Sequence, residues 1–144
     1  MNDTGDAADS SPDTAIVSVL HAAHALEAKL ENALSKAGLS SPKYSVLAAL
    51  VAEGGPVSLS ELASRLSCVR SNMTQLVDRL EADGLVRRVS DPGDRRSVKA
   101  AITEAGQARH DAGAKEMARL HEEFAASVDA SDRRSLIRLL AALQ

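Results

Sequence analysis

A mainly α chain with a small β-hairpin wing is the fold class the sequence predicts, and three observations predict it. Apolar residues recur at spacings of three and four along most of the 144 residues, the period of a helix with one buried face. Alanine is the commonest residue, 26 in all, and has the highest helix propensity. The period changes to two only between Leu85 and Ile102, on either side of a stretch rich in turn formers. A chain of this length is one ordinary domain. Its 44% of hydrophobic residues is enough to build a core, and its 26% of charged residues argues against wholesale disorder.

The elements follow in order. Residues 1–13 carry Asp3, Asp6, Asp9 and Asp13, no basic residue and, Met1 apart, no large apolar side chain, so a disordered acidic tail is expected. The rest, 14–144, reads as a single domain. From Thr14 the residues Ile16, Val19, Leu20, Ala23, Leu26, Leu30, Leu34 and Ala37 keep helical spacing, and Gly38 is the stop. A second helix opens at Ser41-Pro42, where Ser is a capping residue and Pro fits the first turn, and it stops at Gly54-Gly55-Pro56. Ser58 and Glu61 form a capping box for a third helix, with Val57 and Leu62 as its hydrophobic staple, running to Leu66. After a break at Ser67-Cys68-Val69 a fourth helix is expected from about Arg70 to Asp83, with Met73, Leu76, Val77 and Leu80 as its inward stripe. The alternating runs 85–89 and 98–102 then form the hairpin, with Ser90 to Arg95 as a long charged tip. Helical spacing returns after Thr103 to about Val128, and a last helix opens at Asp129.

Composition excludes several functions. With one Tyr, one Phe and no Trp, the chain has no stacking surface for single-stranded nucleic acid. A net charge of −3 argues weakly against any nucleic acid. Cys68 is the one cysteine, so no intramolecular disulfide forms. Residues 1–13 lack the pattern of a signal peptide, and no apolar run approaches the roughly 20 residues that cross a bilayer. A cytoplasmic location with no membrane partner is expected. No Gly-rich phosphate loop, paired-carboxylate site or activated nucleophile is visible, so neither an enzyme nor a cofactor is expected.

Two short helices joined by a tight break and followed by a charged hairpin define a winged helix-turn-helix. In that arrangement the second helix shows its N-terminal residues to base edges in the major groove. Its outward positions here are Arg70, Ser71, Asn72, Thr74 and Gln75. Arg bonds guanine bidentately, and Asn or Gln does the same to adenine. Arg79, further along that face, suits a phosphate, and Arg95 and Arg96 on the hairpin suit a narrow minor groove. The plainer reading is a helical bundle with a solvated hairpin. Against it stands the coincidence of three features: the capped helix pair, the base-reading residue types in register, and the arginines that follow.

The segment LSSPKYSVLAAL at Leu39–Leu50, with NMTQLVDRLEADGLVRR and DPGDRRSVKAAITEAG further on, resembles the MarR family of bacterial transcription regulators, and the likeness runs over about residues 15–143. The resemblance implies a homodimer built on the first and last two helices, 14–38 and 104–144, around a winged helix-turn-helix DNA-binding lobe at 39–104. It also implies a pseudo-palindromic double-stranded operator and, commonly, release by a small-molecule effector, making the chain a ligand-responsive repressor. In the family's wing an Asp anchors the tip for an Arg two residues later, which match Asp94 and Arg96. The chain departs from the family at three places: Val69 replaces the usual Ser or Thr cap, so that the cap shifts to Ser71 or is missing, Ser67 stands where Gly is frequent, and Cys68 fills the apolar turn position. By analogy an effector pocket would lie where the helical dimerisation lobe meets the DNA-binding lobe, with His24 and Tyr44 in its wall.

Other readings remain beside this one. Cys68 is a small hydrophobe plugging the turn, or a redox switch activated by Arg65 and Arg70 at a helix N-terminus. His21 and His24 sit at a metal-compatible spacing, yet no Cys or carboxylate cluster joins them, so no metal site is expected. From a different class comes a dimeric winged-helix module that binds a partner protein and not DNA. Charge placement favours DNA. Residues 65–99 hold eight basic and five acidic side chains, so the acidic total hides a local excess of positive charge.

Overall fold

The computed structural model describes residues 11–143, without the Arg95 side chain. The acidic tail expected at the N-terminus therefore lies outside the described residues as far as residue 10. In chain order the elements are α1 (Pro12–Ser35), α2 (Ser41–Glu53), β1 (Val57–Ser58), α3 (Leu59–Arg65), α4 (Arg70–Ala82), β2 (Val86–Asp91), β3 (Asp94–Ile102), α5 (Glu104–Ser127) and α6 (Ala130–Ala141).

Helix α1 begins two residues ahead of the Thr14 expected. Ser11 is its cap and accepts from the Thr14 N–H, Pro12 occupies the first turn, and Asp13 faces the positive end of the helix dipole. Residues 11–13 are thus a helix start and not part of a tail. Helix α2 is capped differently from the reading above. Ser40 stands at its N-cap but makes no side-chain cap bond, and Glu31 of α1 accepts the Ser41 N–H at 2.9 Å. A carboxylate ten residues away does the work of a local hydroxyl and ties α1 to α2. Ser58 caps α3 through the Glu61 N–H, as its sequence signature requires.

A three-stranded antiparallel sheet of order β1-β3-β2 backs the helices. Strand β1 was not expected, because two residues carry no periodicity. Val57 pairs with Ala100 and Ser58 with Lys99, and Val57 is buried as the staple reading also required. The hairpin tip is a tight turn beside a bulge, where a charged loop was expected. Regular pairing runs to Ser90 opposite Val98; the register then shifts to Asp91 opposite Asp94, so residues 95–97 bulge from β3 and Pro92 and Gly93 form the turn. The Asp91 carboxylate accepts the Gly93 N–H at 2.9 Å and so closes the turn locally.

One core unites the C-terminal end of α1 with α2, α3, α4 and the sheet. Leu34, Val46, Leu47, Leu50, Leu62, Met73, Val77 and Leu80 are fully buried in it. Each large aliphatic side chain buried this way contributes about 1.5–3 kcal/mol. The junction of β3 and α5 is held by Thr103, which donates to the Gly84 carbonyl at 2.7 Å and accepts the Gly106 N–H at 3.0 Å. A side chain at Gly106 would meet the Leu85 carbonyl at 2.0 Å, so glycine is required by a close approach of backbone to backbone. Helices α1 and α5 pack along each other, whereas α6 buries none of its residues.

Candidate nucleic-acid interface

Helix α4 is amphipathic in the sense that positions the site. Met73, Val77 and Leu80 are fully buried and Leu76 is half-buried, locking one face against the core. Arg70, Ser71, Asn72, Thr74, Gln75 and Arg79 are all exposed on the other face. The Thr74 hydroxyl donates to the Arg70 carbonyl at 3.0 Å. That bond occupies its donor and leaves its methyl group and acceptor lone pairs outward, the apolar half suited to a thymine methyl. At the start of α4, Val69 has extended dihedrals and makes no side-chain cap bond. The cap does not move to Ser71. The preceding Ser67 takes a positive φ of 49°, the left-handed conformation that makes glycine frequent at such a turn.

The wing stands beside α4. The Asp94 carboxylate accepts the Arg96 N–H at 2.9 Å, which sets the backbone under an exposed Arg96. Lys99 crosses the hairpin to Asp91 at 3.0 Å. The Gly93 N–H and then the Lys99 ammonium hold the Asp91 carboxyl below the usual carboxylate range. Arg95 belongs to β3, and its side chain lies outside the described residues.

Pairing sorts the charges of this lobe. Lys43 bonds Asp83 at 2.6 Å, and Arg88 bonds both Asp78 and Glu81 at 2.5 Å. Arg65 is engaged by Glu53 at 2.8 Å and by Glu61. Each acidic side chain between residues 65 and 99 is therefore bonded to a cation or a backbone N–H. Arg70, Arg79, Arg87 and Arg96 form no ion pair among the described residues. The local positive excess is concentrated on groups free to meet an anion. Sequence reasoning missed Arg88 and its two carboxylates, since partners seven and ten residues away leave no periodic signal.

The remaining candidates lie elsewhere. Cys68 is half-buried, and its thiol donates to the Val69 carbonyl at 3.4 Å. It shares the wall of a cavity of about 330 Å³ with Pro42, Leu66, Met73 and Leu76. Arg65, named above as an activating cation, is committed to Glu53 and Glu61. His24 is exposed, with Nδ1 on the Leu20 carbonyl at 2.8 Å. Tyr44 is half-buried and stacks on His110 with ring centroids 5.4 Å apart, over Gly113, where a side chain would come within 2.9 Å of its ring. Neither His24 nor Tyr44 lines any of five surface cavities among the described residues.

This geometry defines a winged helix-turn-helix. Residues 37–97 match the family model described as the MarR family. That match covers the winged lobe, 61 of the 144 residues, and makes the chain similar to the MarR family there. The chain is 36% identical over 83 residues to the HTH-type transcriptional regulator PecS of Dickeya dadantii, covering 56% of this chain and 50% of that one. It spans about half the length of curated relatives it matches. Among solved structures, it is similar to the transcriptional repressor CouR bound to a 23-mer DNA duplex, with a TM-score of 0.79, 26% identity and coverage of 88% and 89%. It is also similar to the PcaV transcriptional regulator of Streptomyces coelicolor in complex with its natural ligand, with a TM-score of 0.71, 27% identity and coverage of 93% and 92%. No helix among the described residues is long and apolar enough to cross a membrane.

Proposed function

We propose that this protein is a cytoplasmic transcription regulator that binds double-stranded DNA as a homodimer, most simply a repressor released by a small-molecule effector. The observation that carries the reading is the sorting of charge around α4. Acidic side chains there are neutralised within the lobe, while Arg70, Arg79 and Arg96 remain exposed and without ion pairs among the described residues. The base-reading types Asn72 and Gln75 share that face. Similarity to a repressor bound to a DNA duplex, and to a regulator bound to its natural ligand, supports the same reading.

In this mechanism the N-terminal half of α4 enters the major groove, and Arg70, Asn72 and Gln75 meet base edges. The uncapped first turn of α4 offers its N–H groups to a phosphate. Arg96 lies along the flanking minor groove. A second copy places the same elements one helical turn away, about 34 Å along the duplex. An effector acts by changing the angle between the lobes, which breaks that spacing. The interface between α1, α2 and α5 is the place for it. Tyr44 contributes from α2, and His24 would have to reach the pocket from the partner copy.

Selection of bound sites from a random duplex library tests the reading directly, with mobility-shift titrations of Arg96→Ala on the enriched duplex. Arg96→Ala is expected to weaken binding and to lower the slope of log affinity against log salt by about one to two, one contact per subunit. Unchanged affinity sinks the wing assignment. Enrichment of no duplex, with salt-independent binding, favours a protein-interaction module instead.

A further inference from the structure

The wing is tied to α4 by one polar fork. Arg88, in the middle of β2, donates from Nη2 to Asp78 Oδ1 and from Nη1 to Glu81 Oε2, each at 2.5 Å. Its backbone N–H donates to Glu81 Oε1 at 3.0 Å. Asp78 and Glu81 are three apart on α4 and so share one face. Three donors from one residue thus hold two carboxylates, with the guanidinium side chain 28% exposed. The planar fork of arginine serves both acids at once, whereas a lysine ammonium is a point charge at the end of a flexible stem.

Beyond Arg88 the wing is held by separate links. Asp91 is fastened to the Gly93 N–H and to Lys99, and Asp94 to the Arg96 N–H. Regular pairing carries the position set by Arg88 as far as Ser90 opposite Val98, and Asp94 fixes the backbone under Arg96 within the bulge that follows. Arg79 lies between the two acids in sequence but faces solvent, so the fork belongs to Arg88.

We propose that Arg88 is a positioning residue that sets the distance and angle between α4 and Arg96, and thereby selects the offset between the major-groove sequence and the flanking narrow minor groove that a DNA site must present. The inference rests on the DNA-binding reading above. Neighbouring base pairs differ by 3.4 Å along the axis, a small displacement for the end of an untethered hairpin. With the fork in place, Arg96 meets one flanking position. With the fork gone, the tip samples adjacent positions and the flank is no longer discriminated. Met73, Val77 and Leu80 keep α4 seated without Arg88, so the sequence read by α4 is retained.

The test uses the full chain as wild type, Arg88→Gln, Arg88→Lys, Arg96→Ala and the Arg88→Gln/Arg96→Ala double variant. The probes are the duplex enriched by the wild type and the same duplex with its flank shifted by one base pair. Removing Arg88 leaves two acids unpaired near DNA and lowers affinity for every duplex, so the ratio between the two duplexes is read. The wild type is expected to bind the shifted duplex about tenfold more weakly, the scale of one mismatched base pair. Arg88→Gln is expected to bring that ratio to within about twofold while keeping the core sequence preferred by α4, with Arg88→Lys between. The double variant should show no further change beyond Arg96→Ala, because Arg88 acts through Arg96. A full tenfold ratio in Arg88→Gln overturns the proposal. So does equal loss of core and flank preference in both Arg88 variants, which would make the fork merely structural. A wild type that enriches no duplex fails the DNA-binding reading itself and is distinct from either result.

Discussion

Val69 occupies the N-cap of α4 with φ −69° and ψ 144°, dihedrals a serine would share, yet offers no oxygen to the first-turn N–H groups. It is 62% exposed, so its methyls contribute little packing. Val69→Ser is therefore expected to stabilise the fold by about 1 kcal/mol. Urea denaturation measures this, and an unchanged or lower midpoint would show that the turn, not the cap, limits α4. The sequence left two alternatives for the cap, a shift to Ser71 or none, and the structure has none; Ser67, where the family resemblance puts Gly, takes the left-handed conformation. The neighbouring Cys68 was legible only as two alternatives. Its half-buried place beside Met73 and Leu76 suits a small hydrophobe, and Arg65 has two carboxylate partners of its own. The Glu53 and then the Glu61 carboxylate raise the Arg65 pKa, consistent with that commitment.

At the scale of elements the wing differed most from its sequence reading. Turn formers from Ser90 to Arg95 pointed to a loop, but Asp91 closes a two-residue turn onto the Gly93 N–H, and Asp94 accepts the Arg96 N–H in the bulge that follows the regular pairing. The same acids make the wing sensitive to acid. The Arg88 N–H, followed by its guanidinium, holds the Glu81 carboxyl below the usual range, and the Gly93 N–H does the same for Asp91. A carboxylate with a lowered folded-state pKa contributes stability above its unfolded value and loses it as pH falls through the folded one. The Asp91 and Glu81 bonds are thus intact at neutral pH, and each weakens only as pH falls below the ordinary range of its own carboxyl type, about 3.9 for aspartate. In NMR titration the Gly93 amide resonance is expected to follow Asp91 with a midpoint under that value, and Asp91→Asn to abolish the transition. A midpoint at or above the ordinary range would mean that the carboxylate does not hold the turn.

For the whole molecule, the distribution of exposed apolar residues supports the proposed dimer. Ile16, Val17 and Leu20 on α1, Ile137 and Leu139 on α6 and Leu143 just after it stand in solvent, with Ile137 68% exposed. Large apolar side chains massed on two terminal helices fit a contact between copies, not the surface of a monomer. Wild-type protein is expected to sediment as a dimer at micromolar concentration, and Ile137→Arg to shift it toward the monomer while lowering both thermal stability and affinity for the enriched duplex. Sedimentation of the wild type as a monomer at all concentrations would remove the dimer from the mechanism.

Helix order, the capped start of α3, the inward stripe of α4 and the placement of the wing were determined by the sequence alone. Periodicity, caps and turn formers act over a few residues, so they can be read without the fold. Only the tertiary structure decided which charges are spent and which are free. Glu31 caps α2, Arg65 answers Glu53, and Arg88 answers Asp78 and Glu81, pairings 7 to 12 residues apart that hydrophobic periodicity does not record. The tertiary structure also added β1 to the sheet. Coulombic and hydrogen-bond partners depend on where helices and strands pack, and that packing is set by the shared core, whose contacts join α2, α4 and β3 from distant parts of the chain.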